Sequence, residues 1–225
     1  MITNTHPYSN IKRKLVDGKR LYDTESGPLP SVTTILDKTK TAESRAALQN
    51  WRNRVGNAEA QKITTEAANV GTLMHQYMED WLIHDKYERA DNMIHRTAGK
   101  MADTIINHIE PDLGTVWGTE VNLYYPGLYA GTTDLVGIWK NKEAIMDFKQ
   151  TNRPKKREWI EDYFMQGCAY GESHNELFGT NIRSVAIFMC SRNCEWQLFE
   201  INGTEFDEYA RKWAYRVGEF YDLDK

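Results

Sequence analysis

Cysteine is scarce in this chain. It holds three, Cys168, Cys190 and Cys194, among 225 residues. So few, and an odd number, exclude a disulfide framework and suit a reducing compartment. Cys190 and Cys194 flank a short gap, but a four-thiolate zinc or iron–sulfur site needs one more cysteine than exists. A mixed site using histidine has no motif behind it. Long apolar runs are missing too: none approaches the roughly 18–20 residues of a membrane span. Residues 1–10 contain no stretch that could serve as a secretory h-region. These absences lead us to expect a soluble cytoplasmic protein without membrane partners. There is no internal repeat and no low-complexity linker. Nor is there a basic excess: with a net charge of −4, bulk electrostatics do not announce a nucleic-acid binder.

What is present suffices for one sizeable core, with 40% hydrophobic and 12% aromatic residues. Charge is unevenly placed. Lys12, Arg13 and Lys14 form one basic cluster, and Lys149, Arg153, Lys155, Lys156 and Arg157 form another with no acid between them. Residues 12–22 alternate around Asp17-Gly18, which predicts a β-hairpin. "SGPLPSVTTIL" puts two prolines before a short helix or turn. From Thr41 to about Ala68 the spacing is helical, with Ala47, Leu48, Trp51, Val55 and Ala58 as its stripe. A helix reopens near Gly71-Thr72 with Leu73, Met74, Tyr77, Trp81 and Leu82, and a third runs from about Asp91 to Ile109, stopped by Pro111. The period then changes. Residues 115–125, 128–140 and 143–151 read as strands, 158–177 as a helix, 182–191 and 195–201 as a strand pair, and 204–221 as a closing helix. The order predicts one α/β domain over 1–225: an N-terminal hairpin and helical region (1–110), then a mixed sheet core and C-terminal helix (111–225).

One stretch breaks the logic of a core strand. In "AIMDFKQT" (144–151) an apolar run presents Asp147 and Lys149 two residues apart, hence on one face of the sheet. A lone D-x-K is ordinarily a surface or cross-strand ion pair. Here the preceding strand adds Asp134. If the intervening turn centres between Lys140 and Asn141, Asp134 lies opposite Asp147; moved by one residue, it lies opposite Lys149. Either register gathers two acids and a lysine on one patch. Side-by-side carboxylates repel, which makes little structural sense without a cation. Aspartate oxygens are hard ligands suited to Mg²⁺ or Mn²⁺. A lysine within reach of water or a phosphate oxygen completes a set suited to metal-assisted phosphodiester hydrolysis.

"GTTDLVG … AIMDFKQT … QGCAY" resembles the PD-(D/E)XK nuclease superfamily, in its RecB-like exonuclease branch. That branch has a GT-x-x-H segment on an upstream helix, matched by Gly71-Thr72-Leu73-Met74-His75; an acid in the second strand, matched by Asp134; D-x-K in the third, matched by Asp147 and Lys149; and Q-x-x-x-Y on the next helix, matched by Gln166 and Tyr170. "LPSVTTIL" resembles a segment of the phage and mitochondrial genome maintenance exonucleases of that branch. The resemblance spans about Pro30 to Tyr170. It implies a restriction-endonuclease-like mixed central sheet flanked by helices, with a helical N-terminal region over the active site. It also implies Mg²⁺ or Mn²⁺ held by His75, Asp134, Asp147 and the Phe148 carbonyl, and a clamp on the phosphate or lysine from Gln166 and Tyr170. Some relatives carry a four-cysteine iron–sulfur cluster; this chain cannot.

The expected function is therefore metal-dependent DNA exonuclease activity, acting from single-stranded ends in phage-type replication, recombination or repair. Replication or recombination proteins would be its partners, and the host cytoplasm its location if it is phage-encoded. Lys149 would orient or help deprotonate the nucleophile. Glu120, in mid-strand, is either solvent-facing or a further acid near the metal. Arg153, Lys155, Lys156 and Arg157 would follow the DNA backbone, with Tyr77, Trp159 and Tyr163 stacking on unpaired bases. The alternatives are a structure-specific or restriction-type endonuclease and a non-catalytic nucleic-acid-binding module.

Overall fold

Apolar side chains that alternate along a strand can be buried on both faces only if helices cover both faces, and that requirement organises this molecule. The computed structural model describes residues 2, 3, 5–16 and 19–223. In chain order these form β1 (Arg13–Val16), β2 (Lys19–Thr24), β3 (Gly27–Pro30), α1 (Val32–Lys38), α2 (Ala42–Val55), α3 (Asn57–His84) and α4 (Met93–Ile109). There follow β4 (Leu113–Tyr125), β5 (Tyr129–Trp139), β6 (Lys142–Thr151), a 3₁₀ turn (Arg157–Trp159), α5 (Glu161–Phe178), β7 (Ser184–Ser191), β8 (Trp196–Asn202) and α6 (Thr204–Asp222). The main sheet has the order β4-β5-β6-β7-β8; β6 and β7 run parallel across the α5 crossover and the other pairs are antiparallel. The expected mixed sheet flanked by helices is what forms.

One face of the sheet carries Val136, Ile145, Val185 and Ile187 against α5 and α6, with Phe164, Cys168, Phe206 and Trp213 fully packed. The opposite face carries Leu135, Met146, Phe148 and Phe188 against α3 and α4. Each such aliphatic or aromatic side chain contributes about 1.5–3 kcal/mol on burial. Among the described residues, no helix is long and apolar enough to cross a membrane.

Three expectations shift. The strands predicted around Asp17-Gly18 do pair, from Arg13–Tyr22 to Val16–Lys19, but the turn itself lies outside the described residues. The two prolines of "GPLP" form β3 at the edge of a second sheet, where their missing N–H groups cost no ladder bond; Ser31 then caps α1, its Oγ accepting from Thr34 N at 3.0 Å. The helical break falls at Gly56, whose φ of 87° suits glycine, and α3 runs on unbroken through Gly71. Gly71 has another role: a Cβ there would lie 3.2 Å from Gln150 Cγ, so its absence lets α3 settle onto β6.

Candidate active site

The register is set by the β5–β6 turn. Lys140 and Asn141 both take left-handed backbone, with φ of 45° and 63°, as a tight two-residue hairpin turn requires. Trp139 therefore pairs with Lys142, and the ladder continues to Leu135–Met146. One step on, Asp134 and Asp147 stand across from each other, the first of the two registers expected. The ladder ends there because Asp134 Oδ2 accepts the Phe148 main-chain N–H at 2.8 Å.

α3 brings His75 to this point from the other side of the sheet, its Nδ1 3.5 Å from Asp134 Oδ1. β4 brings Glu120, whose φ of 50° is strained for a residue with a side chain. Its neighbour Thr119 is tied to β5, with Oγ1 donating to Asp134 O at 2.9 Å. One ligand atom from each of His75, Glu120 and Asp134 lies within 4.8 Å of the others. On β6, Lys149 Nζ is 2.5 Å from Asp147 Oδ2 and 5.0 Å from the centre of the Tyr163 ring.

Charge crowding shows in the proton affinities. Burial, then the neighbouring Asp134 carboxylate, push Glu120 up to about 7, although much of this residue faces solvent. Burial also pushes Asp147 up to about 6, with Asp134 adding to it against the pull of Lys149. Burial works against charge on Asp134 as well, but His75 and Lys149 outweigh it and hold that carboxyl below its ordinary value. Lys149 loses to burial and gains more from Asp147 and Asp134, so it stays a firm ammonium. Three carboxyl groups thus share one fixed cation. Hard oxygens and an imidazole converging with surplus negative charge fit a divalent ion of the Mg²⁺ or Mn²⁺ type.

α5 lies on the same face. Gln166 Nε2 donates to Tyr170 Oη at 3.4 Å, so the Q-x-x-x-Y pair does meet. Tyr170 is buried, which pushes its hydroxyl far above the ordinary phenol range and keeps the proton on it.

Beside Lys149 opens a cavity of about 940 Å³ between α2 and α3 on one wall and residues 150–163 on the other. Of the residues expected to meet DNA, Arg153, Lys155, Trp159 and Tyr163 line it. Trp159 is 61% exposed, leaving a ring face free. Two basic residues stand elsewhere. Lys156 lies 5.4 Å from the Trp159 ring centre and 3.9 Å from Glu158. Arg157 is engaged structurally: its Nη2 donates to Glu205 Oε1 at 2.5 Å and Glu200 O at 3.1 Å. Tyr77 is not available for stacking, being buried, bonded to His95 and stacked on Tyr87.

The cavity is also lined by Trp51, which the sequence places on an apolar helical stripe, and by residues assigned no role from the sequence: Arg54 of α2, and Thr64 and Ala67 of α3. No residue of α2 is buried. Its stripe of Ala47, Leu48, Trp51 and Val55 is therefore not core. The available signal was three arginines interleaved with that stripe, which suit a wet wall better than a packed one.

Comparisons with known proteins give limited likeness. No family model matches the chain. Over 156 residues it is 28% identical to Mitochondrial genome maintenance exonuclease 1 of Xenopus tropicalis, covering 64% of this chain and 43% of that protein. Over 210 residues it is 23% identical to the Homo sapiens protein of the same name, covering 88% and 59%. The chain thus spans about half the length of these curated relatives. A crystal structure from Eubacterium rectale described as "Putative exonuclease" superposes with a TM-score of 0.46 and 16% identity, covering 71% of this chain and 69% of that one.

Proposed function

We propose that this chain is a divalent-metal-dependent DNA exonuclease of the PD-(D/E)XK type that shortens single-stranded ends. One observation carries the reading: the Asp134–Asp147–Lys149 cluster, joined by His75 and Glu120, sits beside a cavity lined by both aromatic and basic side chains. The two similar proteins bearing an exonuclease name support the same chemistry.

His75, Asp134 and Glu120 would hold the ion, with Asp147 and the Phe148 carbonyl beside them. When bound, the ion supplies Lewis-acid charge at the scissile phosphate and acidifies water there. Lys149, beside its two acids, donates to a phosphate oxygen or orients the attacking water. The Tyr170 hydroxyl, kept protonated, is a donor that Gln166 orients. Trp51 and Trp159 offer faces for unpaired bases, at about 1–3 kcal/mol per stacked base, while Arg54, Arg153 and Lys155 meet phosphates. A cavity roofed by α2 and α3 suits one flexible strand better than a rigid duplex.

The test compares a linear single strand, a circular single strand and a blunt duplex at matched concentration, with Mg²⁺, Mn²⁺ or EDTA. Metal-dependent digestion of the linear strand with the circle spared is expected. Rapid cutting of the circle would establish an endonuclease instead; binding without cutting in every metal would leave a binding module.

A further inference from the structure

Arg192 follows β7 in the turn to β8 and has no part in the chemistry above. Its main-chain N–H donates to Thr151 O at 3.0 Å, which fastens this turn to the end of β6 just past Lys149. Its side chain reaches the other way, Nη1 donating to Glu66 Oε1 of α3 at 2.7 Å. The other guanidinium donors, Nε and Nη2, are buried without a partner among the described residues, and so is Gln150 Oε1. Gln150 pairs with Cys190 on β7 and lies under Gly71 of α3.

Stability alone is a poor reason for this arrangement. A half-exposed ion pair contributes about 0–1 kcal/mol, whereas each buried N–H left without an acceptor costs about 1–3 kcal/mol. What the arginine does achieve is placement. It joins the α3 wall of the cavity to the sheet wall, on the same helix that carries His75.

We propose that Arg192 is a positioning residue for the metal site, fixing the depth at which α3 presents His75 to Asp134. The inference rests on the metal-dependent reading above. α3 touches β6 at Gly71, between Glu66 and His75, and Val70, Met74, Tyr77 and Met78 bury it around that contact. Glu66 lies five residues to one side and His75 four to the other, so a rigid helix freed at Glu66 and tilting by about 1 Å there would move His75 by at most about 0.8 Å, an upper bound set by that packing. Metal–ligand distances tolerate about 0.2 Å. Freeing Glu66 therefore loosens the metal site.

The experiment measures Mn²⁺ affinity of the metal-free protein by calorimetry, well below each variant's Tm, together with kcat and KM on a linear single strand. Arg192→Ala should weaken Mn²⁺ binding by about tenfold or more, the scale of losing an outer support of a metal ligand, and the loss should fall on kcat more than on KM. Arg192→Lys, which can still reach Glu66, should recover part of the affinity. Glu66→Gln, a half-exposed change that does not threaten folding, should move affinity the same way and decides the matter if Arg192→Ala fails to fold. A lowered Tm with unchanged Mn²⁺ affinity in these variants overturns the proposal. Wild-type Mn²⁺ binding that ignores His75→Ala overturns instead the metal site on which it rests.

Discussion

Glu120→Gln should make the metal-free protein more stable at alkaline pH and leave it unchanged in acid. The carboxyl of Glu120 is pushed up to about 7 by burial and by Asp134, so the folded state binds its proton more tightly than the unfolded chain does. Below pH 4.5 both states are protonated and the group contributes no pH-dependent difference. As pH rises from 4.5 to 7 the unfolded chain ionises first, and folding loses stability. Fully desolvated, a carboxylate held that high would oppose folding by about 3 kcal/mol above pH 7. Glu120 is more open than that, and solvent screening reduces the expected figure to about 1 kcal/mol. Glutamine keeps the strained φ of 50° and removes only the charge, so the substitution isolates electrostatics from backbone strain. Urea unfolding in EDTA at pH 4 and pH 8.5 reads the difference directly. With Mn²⁺ present the order should reverse at pH 8.5, since the wild type gains linkage stabilisation through an intact ligand set. A destabilised Glu120→Gln at pH 8.5 in EDTA, or a benefit equal at both pH values, would refute the picture of uncompensated carboxylates.

Asp134→Ala, Asp147→Ala and Lys149→Ala should each lower kcat on the order of 10²-fold or more while circular dichroism still shows the native fold; near-normal turnover in any of them would displace the site. Asp134→Ala should also lower Tm, since the Phe148 N–H loses its acceptor, and so should Lys149→Ala, which leaves the buried acids without their cation. Gly71→Val should drive a branched side chain into Gln150, cost about 1–3 kcal/mol as overpacking and weaken Mn²⁺ binding, both read on one purified variant. Arg153→Ala should reduce the salt dependence of single-strand binding by about one phosphate, whereas Arg157→Ala, which breaks the Glu205 and Glu200 bonds, should lower stability with little change in that slope. His174, fully buried, is pushed down to about 4 by burial, so stability should fall as pH drops from 6.5 toward 4. His174→Gln should flatten that acid limb in pH-dependent unfolding.

How far the site was legible depends on what kind of information each part needed. Asp134, Asp147 and Lys149 could be placed together because a two-residue turn fixes every pairing behind it, and strand parity fixes the face. Gln166 and Tyr170 came from the resemblance, helical spacing adding only that residues four apart share a face. His75 needed a resemblance, since nothing local says that a histidine on an apolar helix will meet a strand carboxylate from across the sheet, and Glu120 stayed open between solvent and the metal. Glu120 shows the limit well: its left-handed backbone is a property of the folded β4 and leaves no mark in "WGTEVNL". The cleft was the least legible part. Trp51 has the spacing of a core residue, and only the tertiary structure leaves α2 without a buried face. Arg157 fails in the opposite direction, because a basic run reads as one surface until Glu205, far along the chain, claims one member of it. The common cause is that periodicity reports which face of an element is apolar, and not what that face will meet. Chemistry built within one hairpin is therefore readable, while chemistry built between α2, α3 and the sheet is not. The proposed role of Arg192 belongs to this second kind, for its two connections lead to β6 and to α3 and neither is local in the sequence.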